Sequence, residues 1–291
     1  MSYMIKLKIM KKILVPTDFS NNAYSALCYA TKLFKNEACH FYILNTFSVE
    51  TPVLTSRLNT SKGEKLYKEL SNESREKLTE TFHAITRDTE DLNHTFEMIS
   101  VSKKLSETIN KTVKSKSIDL VVMGTKGASG AKEVLMGSNT VRAIQKIRGC
   151  SILAIPDEFD FKIPQEIAFA TDLSRSKSKE ELKPLIDIAS LFDSKIRVVH
   201  IHEKEQLDEI QERNFKQLKE HLKEVKYNMH WVSKFDQKSR VINEFIDEMK
   251  IDMLSMLHYK HGFIESITRE AVIKKIGFRL TIPFLVMPAS S

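Results

Sequence analysis

The residues best placed to do chemistry sit in one segment, Met123-Gly124-Thr125-Lys126-Gly127, which resumes as Gly137-Ser138-Asn139-Thr140. It follows the apolar run Ile118–Met123 and opens a helical pattern. Glycines in such a place let backbone N–H groups approach phosphate oxygens, and a helix start favours an anion. The chemistry implied is a phosphate cradle. The spacing is neither GxxxxGK[ST] nor GxGxxG, so neither common phosphate fingerprint applies. Lys126 could add charge there, although an exposed loop lysine is the plainer reading. Asp18, in Pro16-Thr17-Asp18-Phe19-Ser20, is a second candidate. Alone it reads as a turn or cap residue; its weight comes from standing beside the glycine segment.

These residues must be held by a scaffold, and the sequence writes that scaffold twice. Lys12–Ser20 matches Glu166–Ser174 through Thr-Asp-x-Ser, and Phe41–Asn45 matches Ile196–His200. Ile118–Met123 matches Ile251–Met256, and Ile152–Pro156 matches Phe284–Pro288, all in the same order. Several strands are continuous apolar runs, and strands alternate with helical patterns. That marks α/β units whose parallel strands are buried on both faces. Strands are expected at 12–17, 40–46, 95–101, 119–123 and 151–155, with helices at 21–35, up to about 88, at 104–116 and at 138–147. The second copy repeats this with strands at 166–171, 195–201, 227–233, 252–256 and 282–287, and helices at 177–192, 205–225, 239–249 and 267–276. Ser20 is a candidate N-cap. Domain bounds of 10–157 and 163–291 follow. The short join, Asp157–Pro164, predicts domains packed together.

Gly-x2-Gly-x9-Gly-Ser together with the Pro-Thr-Asp opening resembles the ATP-binding motif of the universal stress protein family, and the resemblance covers almost the whole chain as a tandem member. It implies two Rossmann-like domains of the adenine nucleotide alpha hydrolase-like type. Each would be a five-stranded parallel sheet of order 3-2-1-4-5 flanked by helices. ATP, with or without Mg, would bind between strands 1 and 4. Asp18 would contact the nucleoside, with Pro16 and Thr17 shaping its pocket, and the backbone near Thr46 would read adenine. Met123 would lead into the loop. Gly124, Gly127, Gly137 and Ser138 would hold the phosphates, with Asn139 and Thr140 beside them. Asn45 departs from the histidine common in the family. The family's last strands often pair domains or subunits, which makes Ile152–Ile155 and Phe284–Met287 the candidates for domain or homodimer packing.

The second copy loses the loop. Setting Asp252 on Asp119 puts Leu257 at Gly124, Lys260 at Gly127, Glu270 at Gly137 and Ala271 at Ser138. No nucleotide is expected there. Asp172 survives, and His200, His202, His258 and His261 gather at the same sheet edge. They read either as a small metal or anion site or, more plainly, as unrelated strand-end histidines.

Composition limits the function classes. With 42% hydrophobic and 29% charged residues, the 291-residue chain is neither disordered nor too short for two cores. Its +7 charge is scattered and interleaved with acids, so a nucleic-acid surface is not expected. Three cysteines without CxxC spacing fit a reducing, cytoplasmic setting. No apolar run approaches the ~20 residues of a membrane span. Met1–Lys12 makes a poor signal peptide, and Met10 is a candidate start that would leave residues 1–9 as an extension. No triad, zinc-protease or kinase motif occurs. The leading reading is a nucleotide-binding stress-response or regulatory module. The alternatives are a slow ATPase or nucleotidyl-transfer enzyme, and a non-catalytic scaffold.

Overall fold

A computed structural model describes residues 10–48, 61–126, 136–202, 206–233, 238–259 and 280–289. In the first half, β1 (Lys11–Pro16), β2 (Cys39–Phe47), β3 (His94–Ser102), β4 (Leu120–Gly124) and β5 (Ser151–Ile155) alternate with α1 (Asn21–Leu33), α2 (Ser61–Asp88), α3 (Leu105–Lys116) and α4 (Ser138–Lys146). In the second half, β6 (Glu166–Ala170), β7 (Lys195–His202), β8 (Lys226–Ser233), β9 (Met253–His258) and β10 (Phe284–Pro288) alternate with α5 (Lys179–Phe192), α6 (Glu209–Leu222) and α7 (Lys238–Glu248). The helix expected at 267–276 lies outside the described residues.

The two five-stranded halves are continuous and form one ten-stranded sheet of order β3-β2-β1-β4-β5-β10-β9-β6-β7-β8. Strands within each half run parallel. The seam is antiparallel, with Leu285 opposite Leu153 and Val286 opposite Ile152. Its physical basis is edge protection: β5 and β10 each end their own half as largely apolar, buried strands, and pairing them removes two exposed edges at once.

Alternation along the strands explains the two-sided core. On one face Leu14, Val121, Ile152, Val286, Leu254 and Ala168 pack with α3, α4 and α7. On the other Ile13, Val122, Leu153, Leu285, Met253 and Ile167 pack with α1, α2, α5 and α6. Each apolar layer runs through the seam without a break. Aromatic residues of the join reinforce it, since Phe159 and Phe161 both pack on Tyr29 of α1, with ring centroids 6.0 and 5.2 Å away.

The duplication extends to side-chain detail. Asp119 and Lys12 exchange two bonds, Lys12 N to Asp119 Oδ2 at 2.8 Å and Asp119 N to Lys12 O at 2.9 Å. Asp252 does the same work opposite Glu166, accepting its N–H at 3.0 Å and donating to its carbonyl at 2.8 Å. Asp119 and Asp252 are therefore equivalent in space as well as in sequence.

Candidate functional site

The site begins where β1 ends. The backbone folds over Thr17-Asp18-Phe19-Ser20 in a turn held by short polar side chains. Thr17 Oγ1 accepts from Phe19 N at 3.0 Å, and Asp18 Oδ1 accepts from Ser20 N at 3.1 Å and Ser20 Oγ at 2.6 Å. Phe19 takes a left-handed φ of 64°, which these bonds hold in place. Ser20 then caps α1 by accepting from Ala23 N. The turn thus fixes Asp18 at the carboxyl edge of the sheet. Asn45, at the end of β2, donates to Thr17 O at 2.8 Å and accepts from Ser74 Oγ at 2.8 Å, which ties the two strand ends together.

The other wall comes from β4 and α4. A Cβ at Gly124 would lie 2.3 Å from Asn22 Oδ1, so only glycine fits beside Asn22 in its observed position. Asn22 is buried and fully used. It accepts from Lys126 N at 2.8 Å and donates to Pro156 O at 3.0 Å and Ile155 O at 3.4 Å. Thr140 Oγ1 donates to Gly124 O at 2.9 Å. Gly137 is the N-cap of α4 and has no side chain with which to satisfy its first N–H groups. Lys126, expected as an exposed loop lysine, is instead part-buried and paired with Asp157 of the join at 2.6 Å. That hydrogen bond raises its pKa above the usual lysine range.

Between these walls lies a cavity of about 360 Å³. Pro16, Thr17, Asp18, Thr46, Met123, Gly124, Gly137, Ser138, Asn139 and Thr140 all line it. Gly127 lies outside the described residues. Ala23, Asn45, Leu105, Thr125 and Lys126 also line it. The cavity opens at the carboxyl end of β1, between β2 and β4, where the strand order changes direction.

The second half builds the same turn and sets a tyrosine against it. Leu173 takes a left-handed φ of 56°, and Asp172 Oδ1 accepts from Ser174 N at 3.0 Å and Ser174 Oγ at 2.8 Å. The Tyr259 hydroxyl, from the end of β9, donates to Asp172 Oδ2, and the Arg175 guanidinium lies 5.2 Å over its ring. Burial works against the Asp172 carboxylate. The Tyr259 and Ser174 hydrogen bonds and the nearby Lys177 more than offset it and hold the carboxyl below its usual range. Leu257, at the Gly124 position, is buried. The offset that superposes the two turns puts Ser176 at the Asn22 position, and Ser176 donates to Gln217 instead. Lys260, Glu270 and Ala271 lie outside the described residues.

The histidines divide. His200 takes the place of Asn45 and makes the same tie, Nδ1 to Thr171 O at 3.0 Å. A carbonyl only accepts, so Nδ1 carries a proton; burial lowers the ring's pKa and so favours the neutral form. His202 sits 3.4 Å from Ser233 Oγ. Both line a second cavity of about 350 Å³ with Asp172, Asp208 and Lys238. His258 closes β9, and His261 lies outside the described residues. Among the described residues no three His, Cys, Asp or Glu are grouped to hold a metal ion.

A model of the universal stress protein family matches residues 10–156. The chain belongs to the universal stress protein family. A universal stress protein of Methanocaldococcus jannaschii is 32% identical over 145 residues, 47% of this chain and 89% of that protein. The structure of a universal stress protein from Archaeoglobus fulgidus superposes with a TM-score of 0.63 at 15% identity, covering 96% of this chain and 97% of that one. A protein of unknown function from Pseudomonas aeruginosa gives 0.58 at 14% identity, covering 97% and 94%. These two show a shared fold along nearly the whole chain. Membership of the universal stress protein family supports a regulatory or stress-response role. Among the described residues no helix is long and apolar enough to cross a membrane.

Sequence reasoning missed Asn22. Its signal was a polar residue on the mostly apolar inner face of α1, beside Ala23, Ala26 and Leu27. Tyr259 was missed too, because a tyrosine after a strand carries no signal of what it will touch.

Proposed function

We propose that the first half binds one adenine nucleotide, ATP with or without Mg, in the 360 Å³ cavity, and that occupancy regulates a partner in a stress response. The observation that carries this is convergence. The Asp18 turn, the end of β2 and the glycine-started helix α4 come from distant parts of the chain and meet around one cavity of small-ligand size. Asp18 would accept from the nucleoside hydroxyls, and Pro16 and Thr17 would shape that end. The backbone at Thr46 would read adenine. Met123 leads into the loop, where Gly124, Gly127, Gly137, Ser138 and Asn139 would hold phosphates. Thr140 holds the loop through Gly124 O.

Asp18 is the only acid among the described lining residues, and it stands at the nucleoside end of this reading. A base at the γ-phosphate has no candidate there, which favours a binding module over an efficient ATPase. The second half, with one Asp172 oxygen taken by Tyr259 and Leu257 at the Gly124 position, serves as the partner that completes the sheet. Cys28, Cys39 and Cys150 form no disulfide, which fits a reducing cytoplasm.

The test is mass spectrometry of nucleotide released from purified protein, alongside Gly137→Trp. An adenine nucleotide released from the wild type and absent from the variant is expected. Protein that neither carries a nucleotide nor takes one up at millimolar ATP would overturn the reading.

A further inference from the structure

A third cavity, of about 460 Å³, lies beside the first between α3 and α4 and shares Leu105 and Asn139 with it. Its apolar lining includes Leu105 and the buried Ile109 and Ala143. Lys104, Arg142 and Lys146 are exposed and carry three positive charges against the one negative charge of Glu107. The charge arises from helix spacing: Asn139, Arg142 and Lys146 are three and four residues apart and fall on one face of α4. That face starts at the same helix end to which the first cavity opens.

Both cavities fall in the size range of small-ligand sites, and a concave space with apolar lining and a cationic rim suits a base with attached phosphates. We infer that the two cavities together take a dinucleoside polyphosphate: two nucleosides joined by a phosphate chain. One nucleoside would sit by Asp18. The phosphate chain would pass the start of α4 at Asn139. The second nucleoside would lie against the part-exposed Leu105, with Arg142 and Lys146 facing the far phosphates. This rests on the reading that the first cavity holds an adenine nucleotide.

The experiment is isothermal titration of the full chain with ATP and with diadenosine polyphosphates of two to five phosphates, at low and high salt. The wild type is expected to bind at least one of the longer dinucleotides about tenfold more tightly than ATP. Affinity should depend on chain length, and the advantage should shrink as salt rises. In Arg142→Glu/Lys146→Glu the advantage is expected to vanish while ATP affinity stays within about twofold. Arg142→Gln alone, which is nearly neutral for the helix, should lose part of it. Dinucleotides that bind no better than ATP, or variants that weaken both ligands equally, would overturn this inference and leave the first cavity's reading standing. Binding of neither ligand would overturn both.

Discussion

Gly124→Ala tests the geometry of the loop directly. The added Cβ would lie 2.3 Å from Asn22 Oδ1, 2.7 Å from Asn22 Cγ and 3.0 Å from Asn22 O. The side chain cannot swing away freely, because it is buried and bonded to Lys126 N, Ile155 O and Pro156 O. Moving it forfeits those bonds at about 1 kcal/mol each, so the substitution should cost about 2–4 kcal/mol in all. For a core of this size that lowers Tm by about 5–10 °C. Asn22→Ala alone should also destabilise, since Lys126 N loses its acceptor. In the Asn22→Ala background two of the three close contacts are gone, so Gly124→Ala should then add less than about 1 kcal/mol. The assay is thermal unfolding by circular dichroism on the four proteins of this cycle. A Gly124→Ala protein within a degree of wild type, or costs that simply add, would refute the account of why glycine stands there.

Three further outcomes are expected. Asp157→Asn should free Lys126 from its ion pair and strengthen ATP binding about two- to fivefold at low salt, read by titration; unchanged affinity would mean the lysine does not face phosphate. Tyr259→Phe removes a donor to the Asp172 carboxylate and should cost about 1–3 kcal/mol at neutral pH. Because that carboxyl's pKa is lowered in the fold, its contribution is lost as pH falls through the folded value, so the deficit should narrow in acid. Lys177 is buried, and burial pulls its ammonium down to about 8 from 10.5. Between those values the unfolded chain holds the proton that the folded chain has released, so this group makes stability rise with pH there. In Lys177→Met that rise should be absent, and parallel wild-type and variant unfolding curves from pH 7 to 9.5 would contradict it.

The inner strands could be read from sequence because burial on both faces leaves nearly unbroken apolar runs such as Ile13–Val15 and Leu120–Met123. The two Thr-Asp-x-Ser turns could be read because short polar side chains bond their own backbone, a local code. The antiparallel seam could not. β5 and β10 were candidates for packing, but nothing in an apolar run states which edge it will meet or in which direction. Asn22 and Tyr259 stayed hidden for the same reason. Their partners, Lys126, Pro156 and Asp172, lie about a hundred residues away, and only the fold brings them together.

The central claim, one nucleotide site per chain, is tested most directly by the stoichiometry of ATP binding in calorimetry of nucleotide-stripped protein. The expected result is one ATP per chain, abolished by Gly137→Trp and kept in Tyr259→Phe. Two ATP per chain, or none at millimolar nucleotide, would contradict it.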